Sequence, residues 1–594
     1  MKKINFLLSL LVLIGMTSCF DLDRYPEGVL STADPFKTTG EIQNYINQFY
    51  ESGVRNQALG AGGGGEGITG RDTNSDNLAS SAVDTRTDGG LSLASATPLS
   101  EYTYIRDVNF LLNNLDNYPD PSQADFKHLV GEAHYFRAWF YFQLLINYGP
   151  VAIIEIPLDP VAEQMNYERN SRTEVADFII TDLEKAIENL RIQNNSSSMR
   201  IHKDVARALL SEVALFEGTW EKYHKAAGDA FYDKDITDAK INSYLQKSVD
   251  AAKAVIDRNV WKIYTTGNKT DDYRSIFATT DLSNNPEVLW FKKYDGDQIG
   301  NSVNRYLNMG GGNIGVTASL VDDYLTIDGR PFLGTEKSTA KKVYGNELLS
   351  TIRDPRLSQT VATPGQQMRP DQPVYTFPPL IGKGAAYNQN TTGYSLLKHN
   401  QIDYTGDLDA EGKGATPAIQ FRYADILLNY AEALAELDGA ANADKIITAI
   451  QPLRDRVGMP AMDFDREYNV SPDYPFRNLN KYIQAVRRER RVEQAVEGRR
   501  LTDILRWAAA DVLIAGQWPK GALYQGSNLE NVDFGGNIII GQNLFVDEKG
   551  NILPINPLGH ENGYGFRTDR DYLLPIEERM ISITENLWEQ NPGW

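Results

Sequence analysis

Eight long stretches of helical periodicity, five before residue 260 and three after residue 420, constrain this chain more than any other feature. Apolar residues recurring every three to four positions place one greasy stripe on a helix, and that stripe must be buried against another element. The early stretches are Tyr102–Leu115, Asp125–Tyr148, Thr173–Leu190, Lys203–Trp220 and Tyr244–Arg258. The late ones are Tyr423–Leu437, Ala441–Val457 and Lys481–Ala510, and a shorter amphipathic segment, Glu41–Tyr50, precedes them all. Gly149-Pro150 stops the second early helix, and Ser171 or Thr173 is placed to cap the third. Helices of this length joined by short turns read as degenerate tetratricopeptide-like hairpins, which stack to share a buried face.

Between the helical blocks the pattern changes. Residues 51–97 are rich in Gly, Ser, Asp and Thr and have no period; a loop of that length in a compact domain is functional or disordered. Residues 260–415 are loop-rich, with strand composition at Val288–Tyr294, and residues 515–570 are irregular again. No Pro/Ser linker offers a cut. The expected fold is therefore mainly α: stacked helix pairs, a large loop-rich portion and a few short strands. It forms one domain over 41–594, with its scaffold at about 98–258 and 421–510 and its loop-rich portion at about 51–97 and 260–415.

The N-terminus carries an address. Lys2 and Lys3 precede an apolar run, Phe6–Ile14, that is too short to span a bilayer, which needs about 20 residues, but has the proportions of a signal-peptide core. Gly15-Met16-Thr17-Ser18 then leads to Cys19, the only cysteine of the chain. Small residues before a cysteine at this offset resemble a lipobox, so residues 1–18 are expected to be removed, Cys19 acylated, and residues 19–40 to serve as a tether. Several acyl chains on one residue, at about 0.8 kcal/mol per buried methylene, hold a protein stably to a membrane. A single cysteine also excludes an intrachain disulfide.

Charge narrows the partners. Lys and Arg total 59 against 79 Asp and Glu, a net charge of −20. Nucleic acid demands a basic face, and anionic lipid headgroups attract basic segments, so neither is an expected partner. A neutral ligand suits the balance. With 31 Tyr, 22 Phe and 8 Trp, there are rings enough for both a core and stacking platforms.

Catalytic motifs are missing. The six histidines are scattered, with no HExxH and no pair at ligand spacing, so no metal and no cofactor is expected. Gly60, Gly62 and Gly65 satisfy GxGxxG, but no strand precedes them and no helix follows. No nucleophile elbow is present. Carboxylates are plentiful, yet no stretch singles out a pair for glycoside hydrolysis. Arg487, Arg488, Arg490 and Arg491 share a helix with Glu489, Glu493 and Glu497. Guanidinium holds carboxylate through two parallel hydrogen bonds, so this run reads as a knot of ion pairs between stacked helices, with an anion site as the rival reading.

Several blocks resemble the SusD/RagB family of outer-membrane nutrient-binding lipoproteins. They are Gly131-Glu132-Ala133-His134-Tyr135-Phe136-Arg137-Ala138 continuing to Tyr148-Gly149-Pro150, Arg353-Asp354-Pro355-Arg356, Phe421-Arg422-Tyr423-Ala424-Asp425, Leu453–Pro460, Arg487–Trp507, Tyr572–Ile576 and Asn591-Pro592-Gly593-Trp594. They run in family order from about residue 100 to the last residue. In many members a Trp lies shortly before the segment that begins here at Tyr102; this chain has Pro98-Leu99-Ser100 instead.

The resemblance implies a lipid-anchored, non-catalytic subunit on the cell exterior that passes oligosaccharide to a TonB-dependent, SusC-type transporter. A peptide receptor of the same kind and a surface glycoside hydrolase are the alternatives. It also implies ligand contacts from two loop regions. Both have the mixture that sugars require, flat rings with Asn, Asp and Arg. The first offers Asp72, Asn74, Asp76 and Asn77. The second offers Asn304, Arg305, Tyr306 and Asn308, followed by Gly310-Gly311-Gly312, with Trp290 on the strand before it. Tyr306 is the preferred platform, Trp290 reads as platform or core, and Tyr375, Tyr387 and Tyr394 are lesser candidates.

Overall fold

The computed structural model describes residues 35–60, 67–157, 167–382, 386–403 and 410–594. The expected signal peptide, Cys19 and most of the tether lie outside the described residues.

Local signals set the helices. Helix α1 (Thr39–Asn47) begins at Thr38, whose side chain and Glu41 form a reciprocal capping box. After strand β1 (Leu78–Ser80) come α2 (Glu101–Asn113) and α3 (Ala124–Tyr148). Helix α3 is buried on nearly every side, as its run of aromatic residues requires. Helix α4 (Arg172–Asn189) has a Ser171–Glu174 capping box. Helix α5 (Lys203–Ala227) extends two turns beyond the sequence reading and stops at Gly228 in the left-handed conformation. Helix α6 (Asp238–Ile256) also starts earlier than the pattern suggests, because the Thr237 side chain accepts from the Lys240 N–H and caps it.

The loop-rich portion holds β2 (Val288–Lys292), α7 (Val303–Leu307), β3 (Ile314–Val316) and α8 (Pro355–Thr360). Strand β4 (Ala418–Arg422) leads into α9 (Tyr423–Asp438), α10 (Ala443–Val457), α11 (Lys481–Glu493) and α12 (Arg500–Arg506). Successive helices from α2 to α6 pack pairwise; α9 then lies against α6 and α5, with α10 and α11 on its other flanks. Early and late helices thus join one layer, and the principal core collects residues from Phe36 to Trp588. The mainly α fold with few short strands is as the sequence indicated. Antiparallel pairs tie the loops to this frame: β1 with β3 (Leu78 opposite Val316) and β2 with β4 (Val288 opposite Arg422), the latter irregular around Trp290.

The stretch 481–510 is not the single helix that its periodicity suggests. It breaks after Glu493, where Val496 takes φ 61° and Gly498 φ 70°. A β-branched residue in the left-handed region costs on the order of 1–3 kcal/mol and persists only where its surroundings over-determine it. Here they do. The Val496 N–H donates to Asp72 Oδ2 (2.8 Å), and the Val496 carbonyl lies 2.8 Å from His399 Nε2.

The break delivers Glu497 to a buried knot of charge. Glu493 meets Arg356 (2.9 Å), Arg422 (2.8 Å) and Arg456 (2.6 Å). Glu489 meets Arg356 and Arg454, each at 2.7 Å. Glu497 meets Arg422 (2.6 Å) and Lys398 (2.8 Å), and Glu287 meets Arg422 (2.8 Å) and Arg456 (3.1 Å). All of these side chains are buried. The pairs run between elements, from α11 to α8, β4 and α10, rather than along one helix.

Removing one member strands the others. Arg422→Met is expected to cost about 3–5 kcal/mol in urea unfolding, because three carboxylates then share too few cations in a dry site. Burial raises the Glu497 carboxyl, but Arg422 and Lys398 outweigh it and bring it from 4.5 down to about 2. A depressed carboxylate stabilises the fold fully above its unfolded value and loses that contribution as pH falls. The stability gap between the natural chain and Glu497→Gln should therefore be constant above pH 4.5 and close as pH falls toward about 2. Urea titrations of both proteins across that range check it.

Candidate functional site

The two loop regions have different fates. In the first, the acidic and amide side chains are spent on the frame. Asp72 Oδ2 accepts from Asn77 Nδ2 (3.0 Å) as well as from Val496, and burial still pushes its carboxyl up to about 6. Asp76 pairs with Arg500 (2.6 Å) and Arg491 (2.9 Å). Asn77 Oδ1 accepts from Arg491 Nε (3.0 Å). These three residues, read from the sequence as ligand contacts, hold the 72–77 segment to α11 and α12. Their short polar groups point inward because two buried guanidinium groups need acceptors. Asn74 is half-buried, with its side-chain oxygen unpartnered.

Trp290 is also corrected. It is 2 % exposed, its indole N–H donates to the Met199 carbonyl (3.0 Å), and the edges of Tyr50 and Tyr135 pack against it. With its ring buried and its one donor used, it is core. Tyr375 and Tyr394 are buried as well.

The second region builds a surface. Asn301 exchanges backbone hydrogen bonds with Gly414 (2.7 and 2.8 Å), which anchors the start of α7 against the chain before β4. One turn on, the Tyr306 hydroxyl donates to Glu411 Oε2 (2.6 Å) and the Ser302 hydroxyl to Glu411 Oε1 (2.8 Å). Tyr306 is only 7 % exposed, so its ring supports the surface more than it forms it. Burial, then the Glu411 hydrogen bond, push its phenol up to about 12. The edge of Tyr306 meets the half-buried ring of Tyr387 (5.6 Å, 80°). The Arg305 guanidinium lies 5.6 Å from that same ring and donates to the Tyr387 hydroxyl (3.4 Å). Met309 is exposed beside them in sequence, and Asn304 and Asn308 are buried on the same short helix and its cap. The Asn304 side-chain oxygen accepts from the Gln401 N–H (2.8 Å).

Three glycines make this closeness possible. A Cβ on Gly311 would fall 2.6 Å from the Asn388 carbonyl oxygen. Gly312, at φ 88°, donates its N–H to the Tyr387 carbonyl (2.6 Å), and Asn313 donates to the Gln389 carbonyl (2.9 Å). The turn therefore clamps the segment that carries Tyr387. The surface unites Arg305, Tyr387 and Glu411, one ring with a cation and an acceptor, and Met309 is exposed four residues after Arg305. Sequence reasoning ranked Tyr387 below Tyr306 and missed Met309 and Glu411. The available signal was a lone tyrosine among Gly, Ala, Asn and Gln at 384–390.

Carboxyls pushed far above their ordinary range lie elsewhere and inside. Burial raises Glu347 to about 7, and raises Glu217 and Glu221, which share Arg172 on one side of α5. All three are buried. Among the described residues no group of three or more His, Cys, Asp or Glu is arranged to hold a metal ion.

Comparison with known proteins adds a family to this geometry. A family model described as the SusD family matches residues 261–594, and one described as starch-binding, associating with the outer membrane, matches residues 73–215. SusD-like protein P2 of Formosa agariphila is 23 % identical over 630 residues, covering 100 % of this chain and 99 % of its own. A SusD-like carbohydrate-binding protein of Bacteroides fragilis superposes with a TM-score of 0.68 at 20 % identity, over 93 % of this chain and 99 % of that one. A laminarin-binding SusD-like protein superposes with a TM-score of 0.54 at 19 % identity, over 94 % and 100 %.

Gly311→Ala is expected to push the Tyr387 segment off the turn while the helical frame stays folded. Hydrogen exchange at the Gly312 amide should then speed up about tenfold or more, with α3 and α5 unchanged. An unaltered Gly312 amide would show that the turn does not hold Tyr387.

Proposed function

The chain belongs to the SusD family, and on that premise we propose that it is a non-catalytic receptor that captures oligosaccharide at the cell surface for a TonB-dependent, SusC-type transporter of the outer membrane. The observation that carries the binding reading is the Tyr387 surface. A sugar presents an apolar CH face and a rim of hydroxyls; Tyr387 and Met309 suit the first, Arg305 and Glu411 the second. The surface rests on loops pinned to a charge-locked helical frame, where little ordering cost remains at binding. Arg305 and Tyr306, with Asn304 and Asn308 behind them, are the sequence-derived residues that this proposal keeps.

The absence of turnover is part of the proposal. The carboxylates whose environments would tune them for acid–base work, Asp72, Glu217, Glu221 and Glu347, are buried, beyond reach of a polysaccharide. The net charge of −20 favours an uncharged glycan over an acidic one at long range. Acylation of Cys19 supplies the membrane attachment; the tether expected over 19–40 must end before Phe36, which is buried in the core, and Thr39, which opens α1.

Isothermal titration against neutral glycans, with laminarin as the first probe, and against peptides separates the readings. Heat with a glycan is expected. Heat with peptides alone would transfer the surface to peptide uptake, and reducing ends released by homogeneous protein would replace the receptor with a hydrolase. Tyr387→Ala should weaken glycan binding by about 1 kcal/mol, roughly fivefold, with the unfolding midpoint unchanged. Trp290→Ala should do the reverse, costing about 3–5 kcal/mol of stability as a cavity opens in the core. In cells, Cys19→Ser should move the protein from the membrane fraction to the soluble one.

A further inference from the structure

Beneath the glycine turn runs a chain of three buried hydroxyl groups. The Ser395 hydroxyl donates to the Gly310 carbonyl (2.7 Å), and the Tyr375 hydroxyl donates to Ser395 Oγ (3.2 Å). The Tyr344 hydroxyl lies 2.8 Å from that of Tyr375. Each hydroxyl has one proton to donate. Ser395 uses its proton on Gly310 and Tyr375 uses its own on Ser395, so Tyr344 must donate to Tyr375. The chain is thus directional, from Tyr344 to the turn, and each bond polarises the next.

The base of this chain is fixed. The Ser395 carbonyl accepts from the Ala362 N–H (2.8 Å), and the carbonyl of Tyr394 before it accepts from the Val316 N–H (2.9 Å). Tyr375 is held by its backbone N–H, which donates to the Gln366 carbonyl (2.8 Å), and by its carbonyl, which accepts from Gly365 (2.7 Å). The turn fits closely over them. Gly310 takes φ 75°, and a Cβ there would fall 2.8 Å from Ser395 Oγ and 3.3 Å from the Tyr375 ring. A second donor, Asn390 Nδ2, reaches the same Gly310 carbonyl at 3.3 Å and the Ile314 carbonyl at 3.0 Å. Asn390 lies three residues after Tyr387. The two lone pairs of one carbonyl therefore join Ser395 to the segment that carries Tyr387.

We propose that Ser395 is the positioning residue of the Tyr387 platform, its hydroxyl holding the Gly310 carbonyl so that the turn sets the ring beside Arg305. This role rests on the reading of that surface as the glycan site. Ser395 is fully buried, so it cannot reach a ligand itself. It acts through backbone: the Gly312 and Asn313 amides, just after Gly310, donate to the Tyr387 and Gln389 carbonyls (2.6 and 2.9 Å). Without the Ser395 hydroxyl, the Gly310 carbonyl keeps only the longer bond to Asn390. One proton of the Tyr344–Tyr375 pair is then left without an acceptor in a dry site, where an unmade bond is costly. Tyr375, offered by the sequence as a platform, thus serves the platform from below.

Ser395→Ala removes the hydroxyl and leaves the backbone bonds in place. Hydrogen exchange at the Gly312 and Asn313 amides should then speed up about tenfold, with α3 and α5 unchanged. In isothermal titration with laminarin, the same change should weaken binding about fivefold. In a Tyr387→Ala background it should weaken binding no further, a coupling that a merely structural role would not produce. Tyr375→Phe, which removes one hydroxyl and no carbon, should show the same pattern with about threefold changes, and it carries the test should Ser395→Ala fail to fold. Exchange at Gly312 that neither variant alters overturns the proposal, and so do losses of affinity that simply add in the double variant. No heat with laminarin, or heat that Tyr387→Ala leaves unchanged, counts against the glycan reading instead. Exchange needs no ligand, and in that case it decides alone whether Ser395 holds the turn.

Discussion

Glu493 is the residue on which the rest of the structure depends. Its two oxygens receive guanidinium groups from α8, β4 and α10, three elements that are far apart in sequence. Opposite charges in a dry interior attract strongly, but only after each has lost its water. The arrangement is stable because each carboxylate meets more than one cation and each arginine more than one carboxylate. Glu489, Glu497 and Glu287 extend the pattern, and Arg422 touches Glu287, Glu493 and Glu497 at once. An apolar core would tolerate small slips between helices. A lattice of shared ion pairs does not, so it fixes how the late helices sit against β4 and the loop-rich portion.

The same lattice explains the strained segment after α11. Val496 adopts a left-handed backbone because Asp72 and His399 hold its two peptide groups, and the result aims Glu497 at Arg422 and Lys398. Local strain is exchanged for a closed charge network. Residues 72–77 are drawn into that network through Asp72, Asp76 and Asn77, so a loop that looks free in sequence becomes part of the frame.

Rigidity of the frame frees other loops for recognition. The glycine turn at 310–312 needs no side chains of its own; it brings the backbone of 387–390 close enough for hydrogen bonds and sets Tyr387 beside Arg305. Fixed platforms lose little entropy when a flexible chain of sugars settles on them.

Read along the chain, residue order fixes the mainly α class, the long helices, the cap at Ser171, the irregular middle, and the fact that the arginine–glutamate run had to be paired. These are local properties: periodicity of 3.6 residues, a Thr or Ser before a Glu, a glycine at a helix end. Which partner each charge takes was set by folding in three dimensions. Asp76 and Arg500 are 424 positions apart, and no spacing rule links them. For the same reason, tertiary contact moved Asp72, Asp76, Asn77 and Trp290 from the binding surface into the frame. It broke the expected helix 481–510 at Val496 and raised Tyr387 above Tyr306 as the accessible ring. Side-chain type is legible along a chain, but exposure depends on what folds over it.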